Sequence, residues 1–340
     1  MNYDVIIIGG GPGGTKAASL LADAGKKVAI IEDSHWGGTC LNCGCIPTKM
    51  LLGAAAPAEL IQAQQRLRVL KGESSMDFAA LQNRIGRFLK GSSQTLARNL
   101  ATRGVTLLEG RGECLGEGRV LVKTAEGEHE IQGTDIILSC GSRNAAFPGL
   151  SPDGDCVLDS TGMLALNEVP ESLIVVGAGA IGLELGHFFG SQGTKVTIVE
   201  AAPHIAPLED TDIADELRKV LTKSGKTCLE GVRAQSLETK DGQAELTLAD
   251  GRVLTAAKAL VAVGRKPNSD GLGCEAGGCT LDRRGYVQTD DCLQAAPHVH
   301  AIGDINGKMQ LAHVASAQGL LVADHIAGKP CKQLHYERIP

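Results

Sequence analysis

The chain has 340 residues, 43% of them hydrophobic and 21% charged, the composition of a globular protein long enough for two or three domains. A net charge of −6 and an aromatic content of 3% argue against a polyanionic partner and against the stacking platforms that bind nucleic acid. No apolar run reaches spanning length, and the first predicted strand begins too close to Met1 to leave room for a signal peptide, so neither a membrane partner nor secretion is expected.

Tyr3 to Gly9 reads as a buried parallel strand, followed by Gly9-x-Gly11-x-x-Gly14, a helix to about Ala24 and a second strand, Lys27 to Ile31, that ends at Glu32. The pattern has a physical logic. Glycines allow a tight turn and the close approach of a pyrophosphate to a helix N-terminus, and the acidic side chain accepts from ribose hydroxyls.

The stretch from Gly37 to Lys49 places Cys40 and Cys45 five positions apart, ahead of Pro47 and Lys49. Pro47 suits the first turn of a helix, so Thr48 to about Gln65 is predicted helical with Cys45 at its N-terminal edge. The positive helix end and the Lys49 ammonium one turn later both favour a Cys45 thiolate. Cys40 is predicted on the preceding glycine-flanked loop, close enough in sequence for a disulfide that opens and closes during turnover. Two other readings stay open from the residues alone: a zinc site shared with Cys43, for which no second ligand cluster is spaced suitably, and inert buried thiols. Cys43 is a bystander or a resolving thiol. The eleven cysteines are otherwise irregularly spaced, and a reducing cytoplasm is expected.

Phe78 to about Ala101 reads as a long helix, and short strands with glycine-rich turns lead on to Ser139-Cys140-Gly141. The nucleotide unit then recurs. Leu173 to Val176 leads into Gly177-x-Gly179-x-x-Gly182, a helix to about Gln192, and Lys195 to Val199 ending at Glu200; first glycine and acid are 23 positions apart in both copies. Two dinucleotides are implied. Glu200 repels a 2′-phosphate and Ala201-Ala202-Pro203 offers no arginine to receive one, so NAD(H) is expected over NADP(H). A helix over Asp212–Ser224 and hairpins at Asp241-Gly242 and Asp250-Gly251 follow. After Gly264 the chain leaves this domain, and a Val299–Asp304 strand returns it to the first sheet. Asp304, at that strand's carboxyl end, is placed to contact a cofactor sugar or ribitol, with a solvated turn as the alternative. Gln310 to Ala327 is predicted to be the closing helix. The expected fold is α/β, with two Rossmann-like, three-layer ββα domains: a discontinuous one over 1–149 and 267–330, one inserted over 150–266, and 331–340 beginning a linker.

Cys40-Leu41-Asn42-x-Gly44-Cys45-Ile46-Pro47-x-Lys49, together with Gly177-Ala178-Gly179-x-Ile181-Gly182-Leu183-Glu184-Leu185 and Glu200, resembles the pyridine-nucleotide disulfide oxidoreductases, a family of flavoenzymes. The resemblance covers almost the whole chain. It is greatest to the dihydrolipoamide dehydrogenase type, with mercuric reductases nearer than glutathione reductases. It implies FAD on Gly9, Gly11 and Gly14, with Glu32 at the adenosine ribose, Gly38, Thr39 and Lys49 near the flavin, Gly112 and Gly141 approaching it, Asp304 at the ribitol, and Ala312 and His313 facing the isoalloxazine. It implies NAD(H) on Gly177, Gly179, Gly182 and Glu200, with Gly264 lining the same cleft. Glu184 is implied to pair with Lys49; the bland alternative is an acidic residue favoured near a helix start.

By the same resemblance a dithiol, carried for example on a lipoyl carrier protein, attacks a Cys40–Cys45 disulfide at Cys40, the Cys45 thiolate passes electrons to FAD, and reduced flavin gives hydride to NAD. Full-length members are homodimers whose further C-terminal domain lends a histidine and a glutamate to the partner's disulfide. This chain stops at Pro340, its only His-x-x-x-x-Glu, His204 to Glu209, lies in the loop after Glu200, and Asn144 replaces a common proline. The expectation is a truncated enzyme that binds FAD and keeps NADH-dependent dye or quinone reduction without efficient dithiol exchange. The competing functions are reduction of another disulfide or of mercuric ion, a non-turning-over redox sensor with two nucleotide sites, and a folded but empty fragment.

Overall fold

A computed structural model describes residues 2–72 and 75–339; Met1, Glu73, Ser74 and Pro340, the last at the end of the predicted linker, lie outside them. The α-helices in chain order are α1 (Pro12–Asp23), α2 (Gly38–Asn42), α3 (Cys45–Arg66), α4 (Phe78–Thr102), α5 (Ser160–Leu164), α6 (Ala180–Ser191), α7 (Thr211–Lys223) and α8 (Ala312–Ile326). The chain divides into two units, one of Met1–Asn42, Leu89–Arg143 and Lys266–Pro340, the other of Cys43–Phe88 and Asn144–Arg265. Residues 43–88, which the sequence reading leaves in its first domain, belong to the second unit.

In the first unit Asn2–Ile8 is the centre of a parallel sheet, pairing Val5 with Val28 on one side and Ile8 with Leu138 on the other. The strand order runs 294–296, 299–301, 127–138, 2–8, 28–32, 106–109, with 111–116 and 119–124 added antiparallel. Alternation along the first strand builds two cores, because successive side chains point to opposite faces. Val5 and Ile7 join Ala17, Leu21 and Val322 on the helical face. Ile6 and Ile8 join Val120, Val122, Leu272 and Cys274 on the other. The resulting layers are sheet, sheet and helix. Helices α1 and α8 approach backbone to backbone: a Cβ on Gly319 would lie 2.5 Å from the Gly13 carbonyl oxygen, and one on Gly13 would lie 3.0 Å from that of Ala315.

The second unit repeats the plan. Its parallel sheet runs 227–229, 195–199, 172–176, 258–261, 157–158, and Ile174, Val176 and Val261 pack against Leu237, Leu246 and Leu248 of a three-stranded antiparallel sheet. Gly182 and Gly186 let α6 sit on Val175, Val196 and Ile198 of the opposite face. The hairpin predicted at Asp241-Gly242 forms, both residues holding positive φ, 51° and 76°, as a two-residue hairpin turn requires.

Two sequence expectations are corrected. Asp304 is not on a strand: Val299–Ala301 ends earlier and Gly303–Asn306 forms a 3₁₀ turn, opened by the left-handed φ of 76° at Gly303. Cys40 is not on a loop but inside α2, a turn tied by Asn42 Nδ2, which donates to the carbonyls of Gly38 and Trp36 at 2.9 and 3.2 Å. Among the described residues no helix is long and apolar enough to cross a membrane.

Candidate active site

The two nucleotide motifs fold into near-identical cradles, one in each unit. Gly9 and Gly177 take φ of 110° and 99°, and a Cβ on either would strike a backbone oxygen of the neighbouring strand's exit, Ser139 at 2.3 Å and Ala262 at 2.4 Å. Gly14 and Gly182 are pressed just as tightly, their missing Cβ atoms falling 2.0 Å from the Gly9 oxygen and 2.1 Å from the Gly177 oxygen. These glycines are required by the chain's own packing.

Gly11 and Gly179 are different. Each is the N-cap of its helix, α1 or α6, without a side-chain cap, and a Cβ on either would meet nothing within 4 Å. Both helices thus open at a glycine with free space on its Cβ side, and a helix N-terminus is a favourable place for a phosphate. Gly141, at φ 65°, and Gly264, at φ 116°, also have no atom within 4 Å of a would-be Cβ. This is the fit expected for a pyrophosphate-bearing cofactor.

The acidic residues complete the correspondence. Glu32 Oε2 accepts from Gly10 N at 2.6 Å and Glu200 Oε2 from Ala178 N at 2.7 Å, while their Oε1 atoms accept from Ser34 N at 3.0 Å and Ala202 N at 2.7 Å. Each carboxylate thus braces its glycine turn from the end of the following strand. A cleft of about 360 Å³ opens beside Glu32, between Trp36, Ser93, Glu109 and Lys123.

Other expected residues of the first unit fall around this cradle. Gly38, at φ 58°, would put a Cβ 2.8 Å from the Gly11 Cα, so the turn carrying Thr39 and Cys40 starts against the glycine loop. Ser142 Oγ donates to Asp304 Oδ2 at 2.5 Å, fixing Asp304 beside the Gly141 turn. Ala312 and His313 open α8, whose N-terminus also lacks a side-chain cap. Gly112 is placed differently: a Cβ there would meet Ile8 and Ile31 side chains at 2.8 and 3.1 Å, which gives this glycine a packing reason of its own.

In the second unit Cys45 is the first residue of α3, behind the N-cap Gly44. Thr48 Oγ1 donates to Gly44 O at 2.7 Å. One turn into α3, Lys49 Nζ lies 2.7 Å from both carboxylate oxygens of Glu184, two residues beyond Gly182 on α6. His187 Nε2 lies 3.1 Å from Glu59 Oε1, joining the same two helices. Helix α3, which starts at a thiol, is therefore bridged to the helix whose N-terminus faces the second cradle.

Most remaining thiols are built to be inert. Burial pushes Cys114 up to about 12 and Cys274 up to about 11, reinforced by neighbouring thiols including Cys279, and burial raises Cys140 as well; protonated thiols are poor nucleophiles. Among the described residues no group of three or more His, Cys, Asp or Glu could hold a metal ion.

Sequence reasoning missed Ser142 and Gln318. Fully buried Gln318 accepts at Oε1 from Gly303 N at 2.6 Å and from Asn306 Nδ2 at 3.0 Å, holding the turn that bears Asp304. A glutamine on the apolar face that includes Val314, Ala315 and Val322 was the available signal; for Ser142 there was none.

A family model described as pyridine nucleotide-disulphide oxidoreductase matches residues 3–319. The dihydrolipoyl dehydrogenase of Chlorobaculum tepidum is 38% identical over 344 residues, covering 99% of this chain and 73% of that protein; that of Chlamydia muridarum is 35% identical with the same coverage. Among solved structures, LpdA of Mycobacterium tuberculosis superposes with a TM-score of 0.91 at 28% identity, over 97% of this chain and 74% of its own. The HOCl-induced flavoprotein disulfide reductase RclA of Escherichia coli gives 0.86 at 30%, over 97% and 72%. The chain belongs to the pyridine nucleotide-disulphide oxidoreductase family, an enzyme family whose members use FAD and NAD(H).

Proposed function

We propose that this family member moves electrons between a dithiol/disulfide substrate and NAD(H), with Cys40 and Cys45 as the exchanging sulfur pair, FAD on the first cradle and NAD(H) on the second. The observation that carries the reading is the bridge from Lys49 to Glu184, which fastens the helix opened by Cys45 to the helix opened by the second glycine cradle. FAD, when bound, supplies a two-electron acceptor between sulfur and nicotinamide.

The chain's own residues carry out the rest. A substrate thiolate attacks Cys40 Sγ, the sulfur–sulfur bond breaks, and Cys45 leaves as a thiolate at the N-terminus of α3, where helix N–H groups and Lys49 favour its negative charge. The second substrate thiol then displaces Cys40, releasing a cyclic disulfide and leaving two reduced cysteines. Gly9, Gly11, Gly14, Glu32, Gly38, Thr39, Gly141, Asp304, Ala312 and His313 hold and orient the flavin nucleotide, while Gly177, Gly179, Gly182, Glu200 and Gly264 hold the nicotinamide nucleotide. Glu200 selects against a 2′-phosphate. Family relatives named dihydrolipoyl dehydrogenase support a lipoyl-type dithiol as substrate.

Steady-state assays test this. With FAD supplied, NADH oxidation coupled to an artificial acceptor is expected. Absence of NADH oxidation with any acceptor would leave a binding module and overturn the enzyme reading of this chain.

A further inference from the structure

Away from the redox loop the structure holds a second sulfur pair. Cys292 and Cys331 form a disulfide across a sequence separation of 39, with Cα atoms 5.7 Å apart. The loop it closes contains Asp304, Ala312, His313 and all of α8. Cys292 lies in a turn braced by Asp290, whose Oδ1 accepts from Cys292 N and Gln294 N, both at 2.9 Å. Cys331 lies just beyond the end of α8, which stops where Gly328, at φ 86°, donates to His325 O and Lys329 N donates to Asp324 O.

The segment after Cys331 folds back onto α8. Tyr336 accepts at its hydroxyl from Gln318 Nε2 at 2.9 Å, and burial, reinforced by the Asp291 carboxylate beside Cys292, raises the Tyr336 pKa while the Gln318 contact opposes it. Gln318 is the residue whose Oε1 holds Gly303 N and Asn306 Nδ2. Cys292 is thus joined to Cys331 by the disulfide, Cys331 to Tyr336 by five residues of main chain, and Tyr336 through Gln318 to the Gly303–Asn306 turn by hydrogen bonds. The disulfide is accessible: Cys331 is exposed and Cys292 partly so.

We propose that Cys292–Cys331 is a second thiol–disulfide exchange site that takes small dithiols, and that its oxidised form clamps the Cys331–Ile339 segment onto Gln318 and the Asp304 turn. A dithiol's thiolate attacks exposed Cys331, a mixed disulfide forms, and Cys292 departs and takes up a proton. The second thiol of the reagent then displaces Cys331, so the protein disulfide gains two electrons and two protons while the reagent becomes a cyclic disulfide. A monothiol is the poorer reductant, because Cys292, held nearby by its braced turn, displaces it again at high effective concentration. Reduction frees the segment from its covalent anchor, Tyr336 then leaves Gln318, and the turn bearing Asp304 loosens.

The test needs no cofactor, so its failure is distinct from failure of the flavin assignment. The purified chain is equilibrated with reduced and oxidised dithiothreitol, alkylated and mapped, and in parallel followed by trypsin cleavage after exposed Lys332 and by amide hydrogen exchange at Gly303–Asn306. The expected result is loss of the Cys292–Cys331 peptide pair with dithiol, with cleavage and exchange both accelerating about fivefold or more. C331S should show the fast behaviour without reductant, and Y336F fast exchange with the disulfide intact. Alkylatable Cys292 and Cys331 in the untreated chain, a disulfide that survives excess dithiol, or reduction that leaves cleavage and exchange unchanged would each overturn the proposal, on wild-type protein alone.

Discussion

Lys49 on α3 and Glu184 on α6 meet across 135 residues of sequence, the ammonium 2.7 Å from both carboxylate oxygens. The Lys49 side chain is 59% exposed, and an exposed pair of this kind stabilises a fold by no more than about 1 kcal/mol. Stability does not account for it. On the function proposed above, the pair joins the helix opened by Cys45 to α6 and sets the charge one turn from Cys45.

Glu184→Gln is therefore expected to change stability by less than about 1 kcal/mol while lowering NADH–acceptor turnover about tenfold or more. Paired urea melts and steady-state kinetics check this. Unchanged turnover, or a large stability loss with proportionate loss of activity, would reduce the pair to a structural tie.

The glycines separate into two kinds, and alanine tells them apart. Gly179→Ala places a methyl in open space in front of α6, so the melting temperature should barely move while KM for NADH rises about tenfold or more. Gly182→Ala drives a methyl to 2.1 Å from the Gly177 oxygen and should cost about 1–3 kcal/mol of stability. Equal melting temperatures for the two variants would contradict the assignment.

Glu200 braces Ala178 N and Ala202 N and is proposed to exclude a 2′-phosphate. The wild-type chain should show kcat/KM for NADH above that for NADPH, and Glu200→Ala with Ala201→Arg should narrow or invert the ratio. A wild-type preference for NADPH would refute the role of this carboxylate.

His300 is 2% exposed, packs edge-on against His325 and has no hydrogen-bond partner at Nδ1. Burial, aided by His325 and His298 and opposed by Asp135 and Asp290, lowers its pKa from 6.5 to about 4. A base depressed in the folded state contributes full stability above 6.5 and loses it as pH falls toward 4, because the unfolded chain binds the proton first. From pH 7 to 5 this group alone should remove about 2 kcal/mol, and His300→Phe should flatten that part of the profile. Urea midpoints at the two pH values measure it.

Much of this architecture was legible in the chain because its signals are local. The doubled glycine and acid spacing, the unbroken apolar run of Val5 to Ile8, Pro47 at a helix start and Asp241-Gly242 each carry their structural consequence within a few residues. What escaped depended on distant partners. Nothing near Asp304 says that its strand stops short at Ala301, since that end is set by Gly303 turning toward buried Gln318. Cys40 read as loop because Gly37 and Gly38 flank it, yet Asn42 closes a helical turn around it. The exchange of a common proline for Asn144 looked minor. Its side chain bonds Asp159, Ser160 and Arg265, a role visible only once residues far apart in sequence are brought together. Cys292 and Cys331 carried no pairing signal at all.

The central claim, that electrons pass between Cys45 and nicotinamide by way of a flavin, meets its most direct test in an anaerobic titration with NADH. The FAD-loaded wild-type chain, C40S and C45S are compared by absorbance through the long-wavelength region where a thiolate beside oxidised flavin absorbs. The expected result is that band on two-electron reduction of the wild type, the band already present in C40S, and none in C45S. A band that persists in C45S, or a wild-type flavin that bleaches without ever showing it, would contradict the route.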